Sequence, residues 1–169
     1  MPQPTAMAGI NLPPSIPLII PNNFEYDPKT FTLTERKGSQ SHDKLSLVCE
    51  ALYLLQSINQ PIAVLAICGP YRSGKSHFLT QILNTSNNTF KVGHSMNACT
   101  HGVWMATTFL QYDDFALIVL DTEGINAVGA SASNNTRTIG LLVMTTLLSS
   151  FLIYNSQNVP TATDLEKMR

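Results

Sequence analysis

Two continuous apolar runs, Ile62-Ala63-Val64-Leu65-Ala66-Ile67-Cys68 and Phe115-Ala116-Leu117-Ile118-Val119-Leu120, set the frame of the chain. Neither alternates with polar residues, so each reads as a parallel strand buried on both faces. Helical spacing surrounds them. Asp43 to Ile58 places Leu45, Val48, Leu52 and Leu55 on one side and stops at Asn59-Gln60-Pro61. A second helix beginning near Gly74 carries Phe78, Leu79, Ile82 and Leu83 as an apolar stripe. Val103 to Leu110 is strand-like. The run Ile139 to Ile153 is shorter than a bilayer span and is interrupted by Thr145, Thr146, Ser149 and Ser150. Its Ile139, Leu142, Val143 and Leu147 predict a buried helix, and Phe151-Leu152-Ile153-Tyr154 the next parallel strand. Asp164 to Arg169 reads as the start of another helix.

Strands alternating with helices predict an α/β fold, a doubly wound, mostly parallel sheet with flanking helices. A length of 169 residues suits one domain, and 44% hydrophobic content suffices for its core. Residues 1–23, broken by Pro13, Pro14, Pro17 and Pro21, are expected to be an extended or poorly ordered lead, and residues 24–169 to carry the domain. A net charge of −1 provides no electrostatic basis for a nucleic-acid or anionic-membrane partner. Cys49, Cys68 and Cys99 show no metal or redox spacing, which fits a reduced, cytoplasmic protein, with Cys68 in the core and Cys99 a loop thiol. The start lacks the basic cluster of a signal peptide, and Pro2 excludes N-myristoylation. In a cytoplasmic chain Asn84-Thr85-Ser86, Asn87-Asn88-Thr89 and Asn134-Asn135-Thr136 are incidental glycosylation patterns. Trp104, His42, His77, His94 and His101 read as packing or surface residues rather than ligands.

Candidate chemistry enters between the first strand and its helix. Gly69-Pro70-Tyr71-Arg72-Ser73-Gly74-Lys75-Ser76 is a complete G-x-x-x-x-G-K-[ST] phosphate loop, and its strand-loop-helix setting points to a nucleoside triphosphate. Gly69 and Gly74 let successive N–H groups face the phosphates at a helix N-terminus. Lys75 is expected to reach the β- and γ-phosphates, Ser76 to place its hydroxyl on Mg²⁺, and His77 to lend a backbone N–H.

The second run ends in Asp121-Thr122-Glu123-Gly124. An acid at a strand tip beside a phosphate loop is the Walker-B arrangement, its carboxylate serving the Mg²⁺ shell, while Gly124 completes a D-x-x-G whose N–H can meet a γ-phosphate. Thr100 lies in the polar segment between the two motifs. By spacing alone it reads equally as a switch threonine for Mg²⁺ or as a solvated loop residue.

Together Gly69 to Ser76, Thr100-His-Gly-Val-Trp104, Asp121-Thr-Glu-Gly124 and Leu147 to Asn155 resemble the guanylate-binding proteins, large GTPases of the dynamin superfamily with atlastins as close cousins. The likeness runs from about Gln60 to Asn155. It implies GTP as substrate with Mg²⁺ held by Ser76, Thr100 and Asp121, and hydrolysis stimulated by homo- or hetero-dimerisation through the G domain. Catalytic roles are implied for Arg72, Lys75, Thr100 and Glu123: Arg72 as an internal arginine finger, Thr100 as the switch threonine, Glu123 as an organiser of water near the γ-phosphate. Nucleotide contacts are implied for Gly69, Tyr71, Arg72, Ser73, Gly74, Lys75, Ser76, His77, Thr100, Asp121 and Gly124. Without the resemblance, Arg72 is an exposed loop cation.

Two departures qualify that picture. The family carries a serine two residues before the switch threonine, where this chain has Ala98, which offers no hydroxyl. The Arg-Asp pair that reads guanine in the family is missing before Arg169, so the sheet is expected to be incomplete at the C-terminus and guanine selection rests on resemblance. The alternatives are a non-hydrolysing nucleotide-binding module that pairs with full-length relatives, and an ATP-using P-loop enzyme.

Overall fold

The computed structural model describes residues 3–5, 12–36, 44–83, 89–90, 100–125, 132–156 and 162. In chain order the elements are β1 (Gln3–Thr5), β2 (Ser15–Pro21), β3 (Phe24–Asp27), β4 (Thr32–Glu35), β5 (Leu45–Leu47) and α1 (Cys49–Gln56), followed by β6 (Ile62–Cys68) and α2 (Lys75–Ile82). After these come β7 (Val103–Ala106), β8 (Phe109–Gln111), β9 (Ala116–Thr122), α3 (Ala132–Leu148) and β10 (Phe151–Tyr154).

The two long apolar runs meet as parallel neighbours, Ile62 to Ile67 of β6 against Ala116 to Asp121 of β9, and β10 adds in parallel on the other side of β6. β9 is flanked on its far side by antiparallel β7 and β8, which align with its C-terminal and N-terminal halves. β2 follows β7, and β5 follows β2. Among the described residues the sheet therefore has a parallel side, β10-β6-β9, and an antiparallel side. Helices cover both faces, as the alternation along each strand requires. Ile118, Leu120 and Ala66 share a core with Val48, Ala51 and Leu54 around α1 and with Leu141 of α3. Val119 and Ile67 share the opposite core with Leu79 and Leu83 around α2.

Three expectations about the elements change. Ser15–Pro21, assigned to the lead, is a strand buried along its whole length between β5 and β7. Its prolines are tolerated because the ladder shifts register between Pro17 and Ile19, where a missing N–H breaks least. The helix expected from Asp43 is shorter: Leu45 lies in β5, and Val48 caps α1. The strand-like Val103 to Leu110 divides at Thr107-Thr108 into β7 and β8. Thr107 there donates from its hydroxyl to Pro13 O at 2.5 Å and from its N–H to Pro14 O at 3.0 Å.

The helices also turn differently from their apolar stripes. α2 carries two rows at i, i+4 and buries Leu79 and Leu83, leaving Phe78 and Ile82 exposed. In α3 the buried row is Arg137, Leu141 and Thr145, while Ile139, Val143 and Leu147 are exposed. Thr145 is tolerated inside because its hydroxyl donates to Leu141 O at 2.7 Å. Ala98, Cys99, His42, His94, Asn84 to Asn88 and Asp164 to Arg169 lie outside the described residues.

Candidate nucleotide site

The phosphate loop leaves the C-terminal end of β6 and enters α2, with Gly74 as the residue before the helix. Gly69 has φ 143°, and a Cβ there would lie 2.2 Å from Asn155 O, so both conformation and space demand glycine. Arg72 stands exposed at the rim with φ 60°, a left-handed backbone that costs a side-chain-bearing residue about 1 kcal/mol. By helix geometry the amides of Lys75, Ser76 and His77 have no acceptor within α2 and are available to an anion.

Lys75 is buried, and its Nζ donates to Pro70 O at 2.9 Å, curling the side chain over the loop that carries it. Burial pulls its ammonium below the usual lysine range, opposed by the charges of Asp121, Cys68 and Glu123. An ammonium has three N–H donors and Pro70 takes one, so phosphate oxygens can use the rest.

Asp121, at the end of β9, gathers the metal-ligand candidates. Its Oδ2 accepts from Ser76 Oγ at 2.6 Å and from Thr100 Oγ1 at 3.4 Å. Its Oδ1 is buried and meets no donor among the described residues. Burial pushes the carboxyl up to about 6, against the hydrogen bond from Ser76 and the charge of Lys75. A carboxylate with one unpartnered oxygen, flanked by two hydroxyls, suits a hard divalent cation bound through oxygen. The residues present therefore fit Mg²⁺.

The segment after Asp121 is stitched to both the phosphate loop and the Thr100 segment. Tyr71 N–H donates to Ile125 O at 2.9 Å, and Ile125 N–H to Gly69 O at 3.0 Å. A Cβ on Gly124 would fall 2.5 Å from Tyr71 Cα, so only glycine permits this approach. Glu123 N–H donates to Gly102 O at 2.8 Å, and Gly102 N–H returns a bond to Glu123 Oε2 at 3.0 Å. The other carboxylate oxygen of Glu123 accepts from Arg137 Nη2 at 2.6 Å, in an ion pair with both side chains buried.

Lys75, Ser76, Thr100 and Asp121 thus converge, with Gly69, Tyr71 and Gly124 packed beside them. Two contributors were not singled out from sequence. Asn155 Nδ2 donates to Ser73 O at 2.7 Å and lies 3.3 Å from Ser73 Oγ, while its own N–H donates to Cys68 O at 2.7 Å, bracing the loop from the end of β10. A polar residue closing the parallel strand next to a phosphate loop was the available signal. Arg137 offered none, because its partner lies across a segment that local pattern cannot bridge.

The sequence itself is similar to a known family. The family model described as "Guanylate-binding protein, N-terminal domain" matches residues 42–169. Guanylate-binding protein 5 of Mus musculus is 38% identical over 110 residues, covering 64% of this chain and 18% of that protein. Guanylate-binding protein 4 of Homo sapiens is 35% identical over 127 residues, covering 75% of this chain and 19% of that protein. The chain spans about a fifth of the length of these curated relatives. A family model that covers most of the chain, over the same strand, loop and helix that carry Lys75, Ser76 and Asp121, places this protein in the guanylate-binding protein family.

Proposed function

We propose that this chain binds GTP with Mg²⁺ and hydrolyses it to GDP and phosphate, with turnover stimulated when two G domains pair. The observation that carries the proposal is the convergence of Ser76 and Thr100 on Asp121, whose second carboxylate oxygen has no protein donor among the described residues. Ser76, Thr100 and Asp121 would hold the metal. Mg²⁺ held there would supply positive charge that offsets the charge developing on the phosphate in the transition state. Lys75 and the amides at the start of α2 bind the phosphates, and Arg72 offsets charge as water attacks the γ-phosphate in line. Gly124 presents its N–H to the γ-phosphate, and Glu123 organises the neighbouring backbone that confines the water.

The test is binding of a fluorescent GTP analogue in Mg²⁺, competed by GTP and by ATP, with Lys75→Ala alongside. Saturable binding that the variant loses and GTP displaces far better than ATP is the expected result, to be followed by a turnover assay. Equal displacement by ATP, or binding indifferent to Lys75, sinks the proposal.

One observation favours a second reading, a nucleotide-binding module that pairs with a relative. Ile139, Val143, Leu147 and Phe151 are exposed together along α3 and β10, and among the described residues β10 pairs only with β6. Binding without turnover, restored to turnover by a longer relative, would select it.

A further inference from the structure

The buried row of α3 contains a charged residue with no packing reason to be there. Arg137, Leu141 and Thr145 are one turn apart and all face inward; Leu141 and Thr145 cover the sheet, whereas Arg137 delivers its guanidinium to Glu123 Oε1 at 2.6 Å. Among the described residues its Nε–H meets no acceptor, and Glu123 is its one ion-pair partner. Glu123 spends its other oxygen on Gly102 N–H, and its backbone N–H on Gly102 O. Two residues before Gly102 is Thr100, which reaches Asp121; directly after Glu123 is Gly124, packed on Tyr71.

We propose that Arg137 is a positioning residue that clamps Glu123 and so makes the Thr100–Gly102 and Asp121–Gly124 segments respond to the γ-phosphate as one unit. The inference rests on the nucleotide reading above. Each segment alone could shift independently once the phosphate is gone. With Glu123 tied to Gly102 by two hydrogen bonds and held from behind by a buried cation, a contact made at Thr100 is transmitted to Gly124 and back. The reciprocity required of coupled sites then follows: triphosphate orders both segments, and weakening the clamp costs the triphosphate more than the diphosphate. Burial strengthens the effect, since a low-dielectric ion pair resists partial opening.

The experiment compares the full 169-residue chain with Arg137→Met, Arg137→Lys and the Arg137→Met/Glu123→Gln double variant. In Mg²⁺, affinities for GDP and for a non-hydrolysable GTP analogue are measured, with hydrogen exchange at the Gly102 amide. Arg137→Met is expected to lower the preference for the triphosphate about tenfold, with GDP affinity little changed and Gly102 exchange faster; Arg137→Lys restores part of the preference. Stripping a buried carboxylate of its cation can unfold the single variant, so the double variant, which removes both charges, carries the same expectation. Equal loss of GDP and analogue binding, an undiminished preference, or a wild-type chain that binds the two equally overturns the proposal. A wild-type chain that binds neither nucleotide overturns the nucleotide reading itself, and the inference with it.

Discussion

Ser76 Oγ lies 2.6 Å from Asp121 Oδ2, joining the first turn of α2 to the end of β9 across 45 residues of sequence. Burial pushes this carboxyl up to about 6, and the bond from Ser76, with the charge of Lys75 and the weaker bond from Thr100, opposes that rise.

That value predicts a pH dependence. Between the usual carboxylate range and about 6, the folded chain keeps a proton that the unfolded chain has released. The unliganded protein therefore loses stability as pH rises through this window. Binding a cation requires the ionised form, so Mg²⁺-dependent nucleotide affinity is expected to be level above about pH 7 and to fall by about tenfold for each unit below 6. Calorimetric titrations across that range, with Asp121→Asn as the comparison, check it. An affinity that stays constant from pH 7 to pH 5 would rule out Asp121 as the titrating ligand.

Asn155 holds the phosphate loop through Ser73 O and Ser73 Oγ. Replacing it with alanine removes these bonds and leaves Ser73 O seeking water. A loss of about 1 kcal/mol per bond predicts nucleotide affinity weaker by about fivefold for each bond, with a small drop in melting temperature. Unchanged affinity in Asn155→Ala would show that the loop keeps its shape without the Asn155 side chain.

Ile16 is 1% exposed in β2, within the stretch whose prolines suggested a lead. Ile16→Ala is expected to cost about 2–5 kcal/mol of unfolding free energy, the range for a large-to-small change in a closed core. Urea unfolding measures it. A variant as stable as the parent would mean that the Ile16 side chain is not packed in the core.

Where the sequence was misleading, the reason is that several local solutions were equally good. α2 offers Phe78/Ile82 and Leu79/Leu83 as alternative rows, and only the second meets the sheet, so periodicity predicts a helix but not its rotation. In α3 the most apolar row is the exposed one, because the position nearest Glu123 is taken by Arg137 and orients the helix about it. β2 escaped notice for a different reason. Proline is read as a breaker, but a register shift between Pro17 and Ile19 lets Pro17 remain in the ladder opposite Trp104.

By itself the sequence determined the strand, loop and helix around Gly69 to Ser76, the acid-tipped strand ending at Asp121, and the family. These are local matters, set by apolar runs, glycine spacing and the chemistry of adjacent residues. Only the tertiary structure decided that Ser76 and Thr100 share one oxygen of Asp121, that Asn155 braces the loop, and that Arg137 holds Glu123 against Gly102. Each of those contacts joins residues 14 to 82 positions apart. No local period encodes such a pairing; it arises when the parallel strands bring their C-terminal ends to one edge and the helices rotate to fill the two cores.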